Sequence, residues 1–176
     1  VVHSEDESVI KNNLEKYIKI YGNDIPFKFH PIIRSEEACL RSTIKIIELA
    51  KKCNSRLHVF HLSTKVESEL FENINLGNKK ITSEVCIHHL TFNDSSYEKK
   101  GSLIKWNPAI KTKLDQDALW DALNSDKIDI IATDHAPHTI EEKQRKYLEC
   151  PSGGPLVQHS LIVMFEHFLN KRISLE

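Results

Sequence analysis

Short apolar runs alternate with longer segments of helical periodicity along this chain of 176 residues. The apolar runs predict buried strands and cover residues 1–3, 56–62, 81–87 and 128–133. The segments with helical periodicity cover residues 9–21, 36–53, 115–124 and 158–169. Strands that alternate with helices form parallel sheets with right-handed crossovers, so the sequence predicts an α/β fold.

Polar residues beside these segments predict where helices begin and end. Asp6 and Glu5 precede the first helix and are interpreted as its caps. Thr64 and Glu67 have the spacing of a capping box, which predicts a further helix that Gly77 ends.

The number of units points to part of a barrel. About four strand–helix units are present, half of the eight in a TIM-like (β/α)8 barrel, which typically needs about 250 residues. An open doubly wound sheet is the alternative, but no glycine-rich turn follows any predicted strand. We therefore expect residues 1–176 to form one partial barrel domain, cut at both ends.

Composition excludes several classes of function. The net charge is −1 and the two signs are interspersed, so no face for nucleic acid is predicted. No apolar run approaches the ~18 residues of a membrane span, and no signal peptide begins the chain. The four cysteines are scattered and form no C-x-x-C pair, which predicts reduced thiols in a cytoplasmic protein.

Polar side chains stand where three of the predicted strands stop. His3, His61 and Asp134 each follow an apolar run immediately before a loop. In a β/α barrel these strand ends converge on one face, where histidines and a carboxylate can bind zinc or a similar ion. One such histidine alone is more often structural, but the repetition at three strand ends favours a metal site.

Three further histidines follow predicted strands. His88 and His89 come after the strand at 81–87, and adjacent side chains of an extended chain point to opposite faces. We therefore expect His88 near the site and His89 in a structural role. His138 follows Pro137, which fixes the local backbone, and can reach back over the pocket.

Five segments of the sequence resemble the motifs of the dihydroorotase family, in that family's order. They are HSED at 3–6, HLST at 61–64, SEVCIHHL at 83–90, KWNP at 105–108 and ATDHAPH at 132–138. The last is the most specific, with seven residues in order at the end of a strand. Allantoinases and hydantoinases share the architecture, but the complete aspartate motif and the doubled histidine favour dihydroorotase.

The resemblance implies roughly strands 5–8 of a cyclic amidohydrolase barrel with two zinc ions in the complete site. His3 and His61 would ligate one metal, and Asp134 would ligate the other and act as the catalytic base. Asn107 and His138 would contact the substrate, as would the main chain near Gly153. The implied reaction is reversible hydrolysis of dihydroorotate to N-carbamoyl-aspartate, a step of pyrimidine synthesis.

The same resemblance leaves three alternatives open. The family's first-strand H-x-H pair, its arginine and its bridging carboxylate have no counterpart in this sequence, so the chain is either one fragment of a longer enzyme or a degenerate relative. A degenerate relative would act as a metal-free scaffold partner, and a third alternative is a related enzyme for hydantoin or allantoin. The fragment interpretation predicts that the remaining half of the barrel is a partner, and it is compatible with a homo-oligomer.

Overall fold

A computed structural model describes residues 1–175 and contains a three-stranded parallel sheet. Its strands are β1 (Leu57–Val59), β2 (Ile81–Cys86) and β3 (Ile130–Ala132), in the order β1-β2-β3. Val2 extends this sheet through a parallel bridge to Val59 on the free side of β1. Four segments of chain therefore lie side by side with their carboxyl ends at the same edge.

Helices connect these strands, as the periodicity predicts. The α-helices are α1 (Glu7–Tyr21), α2 (His30–Ile33), α3 (Glu36–Lys52), α4 (Lys65–Ser68), α5 (Ile87–Thr91), α6 (Tyr97–Lys100), α7 (Lys113–Asn124), α8 (Ile140–Lys143) and α9 (Ser160–Leu169). Single 3₁₀ turns lie at Phe27–Phe29, Leu76–Asn78, Asp94–Ser96, Gly101–Ile104 and Val157–His159. This alternation is that of a partial β/α barrel.

Two expectations about caps are only partly correct. Asp6 caps α1 by accepting hydrogen bonds from the amides of Ser8 and Val9. Glu5 does not cap the helix, because its carboxylate lies 2.7 Å from the guanidinium of Arg34. The negative charge of Glu5 is therefore neutralised by Arg34 and not by the amino-terminal end of α1.

The helix predicted between Thr64 and Gly77 is much shorter than expected. Thr64 caps α4 by accepting from the Glu67 amide, but the helix ends at Ser68. The Ser68 hydroxyl donates to the Lys65 carbonyl at 2.7 Å, which competes with the helical hydrogen bonds. Gly77 lies in a separate 3₁₀ turn, so its interpretation as the end of this helix is wrong.

The main core lies between the sheet and the helices that cover it. Val59 and Val85 project from β1 and β2 and are fully buried, and they belong to one cluster with Ile47 of α3 and with Leu119 and Trp120 of α7. A second cluster joins α1 to α2 and α3. The helices thus cover the outside of the sheet, as in a barrel.

The far edge of the sheet is open. The strand predicted at 128–133 is present as β3, but the prediction that it is buried is wrong, because Ile130 and Ile131 are 47% and 37% exposed. Ile128, which is buried, lies before the strand begins. No residue of α9 within the described chain is buried, and Leu161 and Phe165 are exposed. An apolar edge of this kind is covered in a closed barrel.

The four cysteines are free thiols. Among the helices of residues 1–175, none combines the length and the apolar character needed to cross a membrane.

Candidate metal centre

The two first histidines meet because the main chain at Val2 pairs with β1. His3 follows this pairing directly, and His61 follows β1 in a left-handed turn with φ of +37°. His3 Nδ1 and His61 Nε2 lie 2.5 Å apart, although 58 residues separate them in sequence. Parallel pairing of these two segments thus places one nitrogen of each imidazole next to the other, beyond the carboxyl ends of the strands.

Asp134 approaches the same region from β3. It also lies at a positive φ, +44°, which turns the chain sharply after the strand. Non-glycine residues with positive φ are uncommon and often occur at functional sites. The charge of Asp134 acts on His61: burial lowers the pKa of His61, the Asp134 carboxylate opposes this, and His3 adds to it. Parallel pairing of the strands places Asp134 at the same edge of the sheet as His3 and His61.

These side chains are chemically suited to a metal ion. Burial lowers the pKa of His61, which favours the neutral imidazole that metals require. His61 Nδ1 is buried and has no hydrogen-bond partner within residues 1–175. Imidazole nitrogens and a carboxylate form a ligand set that zinc accepts. That they hold a metal stays a prediction.

A buried carboxylate links the loops that carry the two histidines. Glu67 accepts hydrogen bonds from Thr43 at 2.9 Å and from Thr64 at 2.8 Å. Thr43 in turn lies 2.9 Å from the hydroxyl of Ser4, the neighbour of His3. Desolvation raises the pKa of Glu67 from 4.5 to about 6, against the opposing effect of the Thr64 hydrogen bond.

We expect Glu67→Gln to remove a pH dependence of stability. The folded state binds the Glu67 proton more tightly than the unfolded state, so this contribution is complete below pH 4.5 and is lost as pH rises through about 6. The lost free energy of unfolding is about 2 kcal/mol. In urea unfolding between pH 4.5 and about 6, wild type should lose about 2 kcal/mol of unfolding free energy that the variant does not lose. Glu69→Gln, at an exposed neighbour, is the control, and a difference that does not vary with pH would contradict the expectation.

The predicted substrate-contact residues form a second group. The Ser152 hydroxyl donates to Asn107 Oδ1 at 3.1 Å, and His138 Nε2 donates to the Ser152 carbonyl at 3.2 Å. Gly153 has φ of +133°, and a Cβ there would lie 2.5 Å from the Ala136 carbonyl oxygen. Only glycine lets this segment pass so close to the aspartate motif.

Two buried lysines fix this second group, and sequence reasoning missed both. Lys143 Nζ donates at 3.2, 3.0 and 3.1 Å to the carbonyls of Lys105, Pro151 and Gly153. Lys105 Nζ donates to the Tyr147 carbonyl at 2.8 Å. Burial lowers the pKa of Lys105 to about 8 and also lowers the pKa of Lys143. The sequence contained one signal that could have identified these lysines, namely the position of Lys105 inside the KWNP segment.

His88 and His89 are not on an extended chain, so the argument that they point to opposite faces is wrong. β2 ends at Cys86, and both histidines lie on α5 and are buried, with ring centroids 4.3 Å apart. His88 stacks on Trp106 at 4.6 Å, and His89 Nε2 donates to the Pro108 carbonyl at 3.1 Å. Burial lowers the pKa of both imidazoles. A role for His88 near the site stays a prediction.

Comparisons with known proteins agree with this architecture. No family model matches the chain. Dihydroorotase of Deinococcus radiodurans is 37% identical over 130 residues, which cover 74% of this chain and 31% of that protein. Dihydroorotase of Methanosphaera stadtmanae is 32% identical over 175 residues, which cover 99% of this chain and 40% of that protein.

Solved structures show the same fold. Dihydropyrimidinase from Brevibacillus agri superposes with a TM-score of 0.88 at 25% identity, over 99% of this chain and 39% of that one. Dihydroorotase from Saccharomyces cerevisiae, solved with 5-fluoroorotic acid, has a TM-score of 0.66 at 19% identity, over 76% and 38%.

The chain thus spans about a third to two fifths of the length of the relatives it matches. The names of the sequence relatives agree with the family that the motifs resemble, and the fold of the solved structures agrees with the parallel strands. The chain belongs to the cyclic amidohydrolases, its sequence matches the dihydroorotases among them, and its strands are part of their TIM-like barrel.

Proposed function

We propose that this chain supplies part of the active site of a dihydroorotase, an enzyme that reversibly hydrolyses the ring amide of dihydroorotate to N-carbamoyl-aspartate. The observation that carries the proposal is the contact of His3 with His61 at the carboxyl edge of one parallel sheet, at which Asp134 also follows a strand. The segment 134–138 joins this group to the one formed by Asn107, His138 and Gly153. The two groups would supply part of the metal ligands and substrate contacts that hydrolysis of a small cyclic amide requires.

The metal is proposed to be zinc, with two ions in the complete site. His3 and His61 would hold one ion and Asp134 the other, with further ligands from other strands of the barrel. A bound ion supplies a water molecule of lowered pKa and polarises the amide carbonyl.

Asp134 is the proposed proton carrier. Its carboxylate accepts a proton from the attacking water and then delivers it to the ring nitrogen as the carbon–nitrogen bond breaks. One residue can perform both steps because it stands beside both the nucleophile and the leaving group. In the cyclisation direction, the same proton movements run in reverse and water is lost.

Asn107 and His138 are proposed to orient the substrate. Their side chains already meet through Ser152, so a bound ring would replace or extend contacts that hold them in place. The main-chain amide of Gly153 is engaged with the Lys105 carbonyl at 2.9 Å. Its proposed contact is therefore through the carbonyl oxygen, which has a second lone pair beside the Lys143 bond.

We further propose that the remaining half of the barrel covers the apolar edge at β3 and α9, with residues 1–176 forming one partial domain. The free thiols fit a cytoplasmic enzyme. Association of complete barrels into a homo-oligomer is compatible with this arrangement.

The proposed function is tested on the protein with its complete barrel, loaded with zinc. Hydrolysis of dihydroorotate, hydantoin, dihydrouracil and allantoin is compared, with chelator-treated protein as the control. We expect the highest kcat/KM for dihydroorotate. Because the dihydropyrimidinase fold matches with a TM-score of 0.88, preference for dihydrouracil or hydantoin is the second candidate outcome. Absence of turnover on all four substrates would support the scaffold alternative.

Lys143→Met should weaken substrate binding in that protein. It removes a cation from three carbonyls around Gly153, and losing a charged hydrogen bond costs about 1.5–3 kcal/mol. We expect KM for dihydroorotate to rise about 10-fold or more, with a smaller change in kcat. Lys146→Met, at an exposed lysine paired with Asp24, is the control. An unchanged KM in a folded Lys143 variant would contradict the positioning role.

A further inference from the structure

We propose that Cys86, His88 and His89 form a second metal site, which binds a zinc-class divalent ion through one sulfur and two imidazole nitrogens. The three residues lie where β2 ends and α5 begins, and all three are buried. One ligand atom from each lies within 4.8 Å of the others. The set shares no residue with His3, His61 and Asp134, so the inference does not depend on the proposed reaction.

Unpartnered nitrogen atoms indicate a ligand. Both ring nitrogens of His88 are buried and lack a hydrogen-bond partner among residues 1–175, as does Nδ1 of His89. Buried polar groups in folded proteins are nearly always paired, so several orphaned nitrogens side by side need an explanation. An ion that accepts their lone pairs would satisfy one nitrogen of each ring.

The surroundings prepare the two rings as ligands. His89 Nε2 donates to the Pro108 carbonyl, which leaves the lone pair of Nδ1 free. Metal-binding histidines typically donate their second N–H to a carbonyl or carboxylate in this way. His88 is fixed in plane by stacking on Trp106, with an angle of 16° between the rings. Burial lowers the pKa of both histidines, so both are neutral.

The thiol decides the class of ion. Burial raises the pKa of Cys86, so the free site holds a neutral thiol, and binding must release its proton. A thiolate with two imidazoles selects zinc or cobalt over magnesium or calcium, which prefer oxygen. Tetrahedral zinc, with bonds of about 2.0–2.3 Å, places one sulfur and two nitrogen ligands about 3.3–3.6 Å apart, so small side-chain rotations would close the site.

Cobalt tests the proposal because sulfur ligation has its own optical signature. The protein with its complete barrel is produced in cobalt medium, since buried ligands are reached most readily during folding. We expect a sulfur-to-cobalt charge-transfer band in the near ultraviolet, which the sulfur-free centre at His3 and His61 cannot produce. Cys86→Ser should abolish the band and lower the cobalt content by one equivalent. Cys39→Ser removes another buried thiol and should leave both unchanged.

A second variant guards against a folding defect in Cys86→Ser. His88→Phe keeps a ring to stack on Trp106 and keeps the thiol, but it removes one ligand. We expect its cobalt affinity at this site to fall by about 10-fold or more, the minimum effect of disturbing a metal's supporting residues. Absence of the band in wild type would overturn the proposal, as would a band unchanged in Cys86→Ser or a cobalt affinity unchanged in His88→Phe. In those cases the two histidines are core residues.

Discussion

The 176-residue chain on its own should show no dihydroorotase activity above background, even with zinc. Its sheet is open at β3, where Ile130 and Ile131 are exposed, and α9 buries none of its described residues. The resemblance to dihydroorotases also implies ligands from other strands, namely a histidine pair and a bridging carboxylate. Too few ligands would surround each ion, and the apolar edge would favour self-association.

The measurement is a zinc titration of the purified chain followed by an assay of dihydroorotate hydrolysis. Adding the other half of the barrel, joined or as a separate chain, should restore metal binding and turnover together. The other half alone is the control. Robust activity from the isolated chain would contradict this expectation.

Asp134→Asn should lower turnover by at least ~10²-fold in the protein with its complete barrel. Asparagine keeps the shape and tolerates the positive φ of this position, but it cannot accept the proton of the attacking water. Substrate binding should weaken much less, because Asn107 and His138 are unchanged. Steady-state kinetics with measured metal content separate the two effects.

Asp126→Asn is the matched control for this variant. Asp126 also has a positive φ, of +58°, but it lies exposed in the loop before β3. Its substitution should leave kcat and KM unchanged. Near-normal turnover of a metal-loaded Asp134→Asn protein would show that another residue carries the proton.

The strands and their polar ends could be predicted because their signals are local. Three of the four apolar runs end within two residues of His3, His61 or Asp134, and parallel pairing then places these ends together. The conformation of His88 and His89 could not be predicted in this way. Stacking of His88 on Trp106 and the bond from His89 to Pro108 join α5 to residues about 20 positions later, and no local pattern indicates such contacts.

The contacts that buried charged side chains make with residues far away in the sequence could not be predicted either. The spacing of Thr64 and Glu67 predicts a local cap, and the Thr64 half of it is present. The Glu67 carboxylate instead binds the hydroxyls of Thr43 and Thr64. Lys143 likewise resembles any surface lysine of an amphipathic segment until the chain folds and buries it among carbonyls. Burial of a charge depends on tertiary packing, which the sequence pattern does not contain.

We propose that His3, His61 and Asp134 hold catalytic metal at the mouth of the barrel. This is tested with crystals of the complete-barrel protein that are grown with zinc and measured on both sides of the zinc absorption edge. We expect an anomalous peak about 2.0–2.2 Å from the ligand nitrogens of His3 and His61, with a second peak beside the Asp134 carboxylate. Zinc found only at Cys86, His88 and His89, with none at His3, His61 and Asp134, would show that these three residues do not form a metal site.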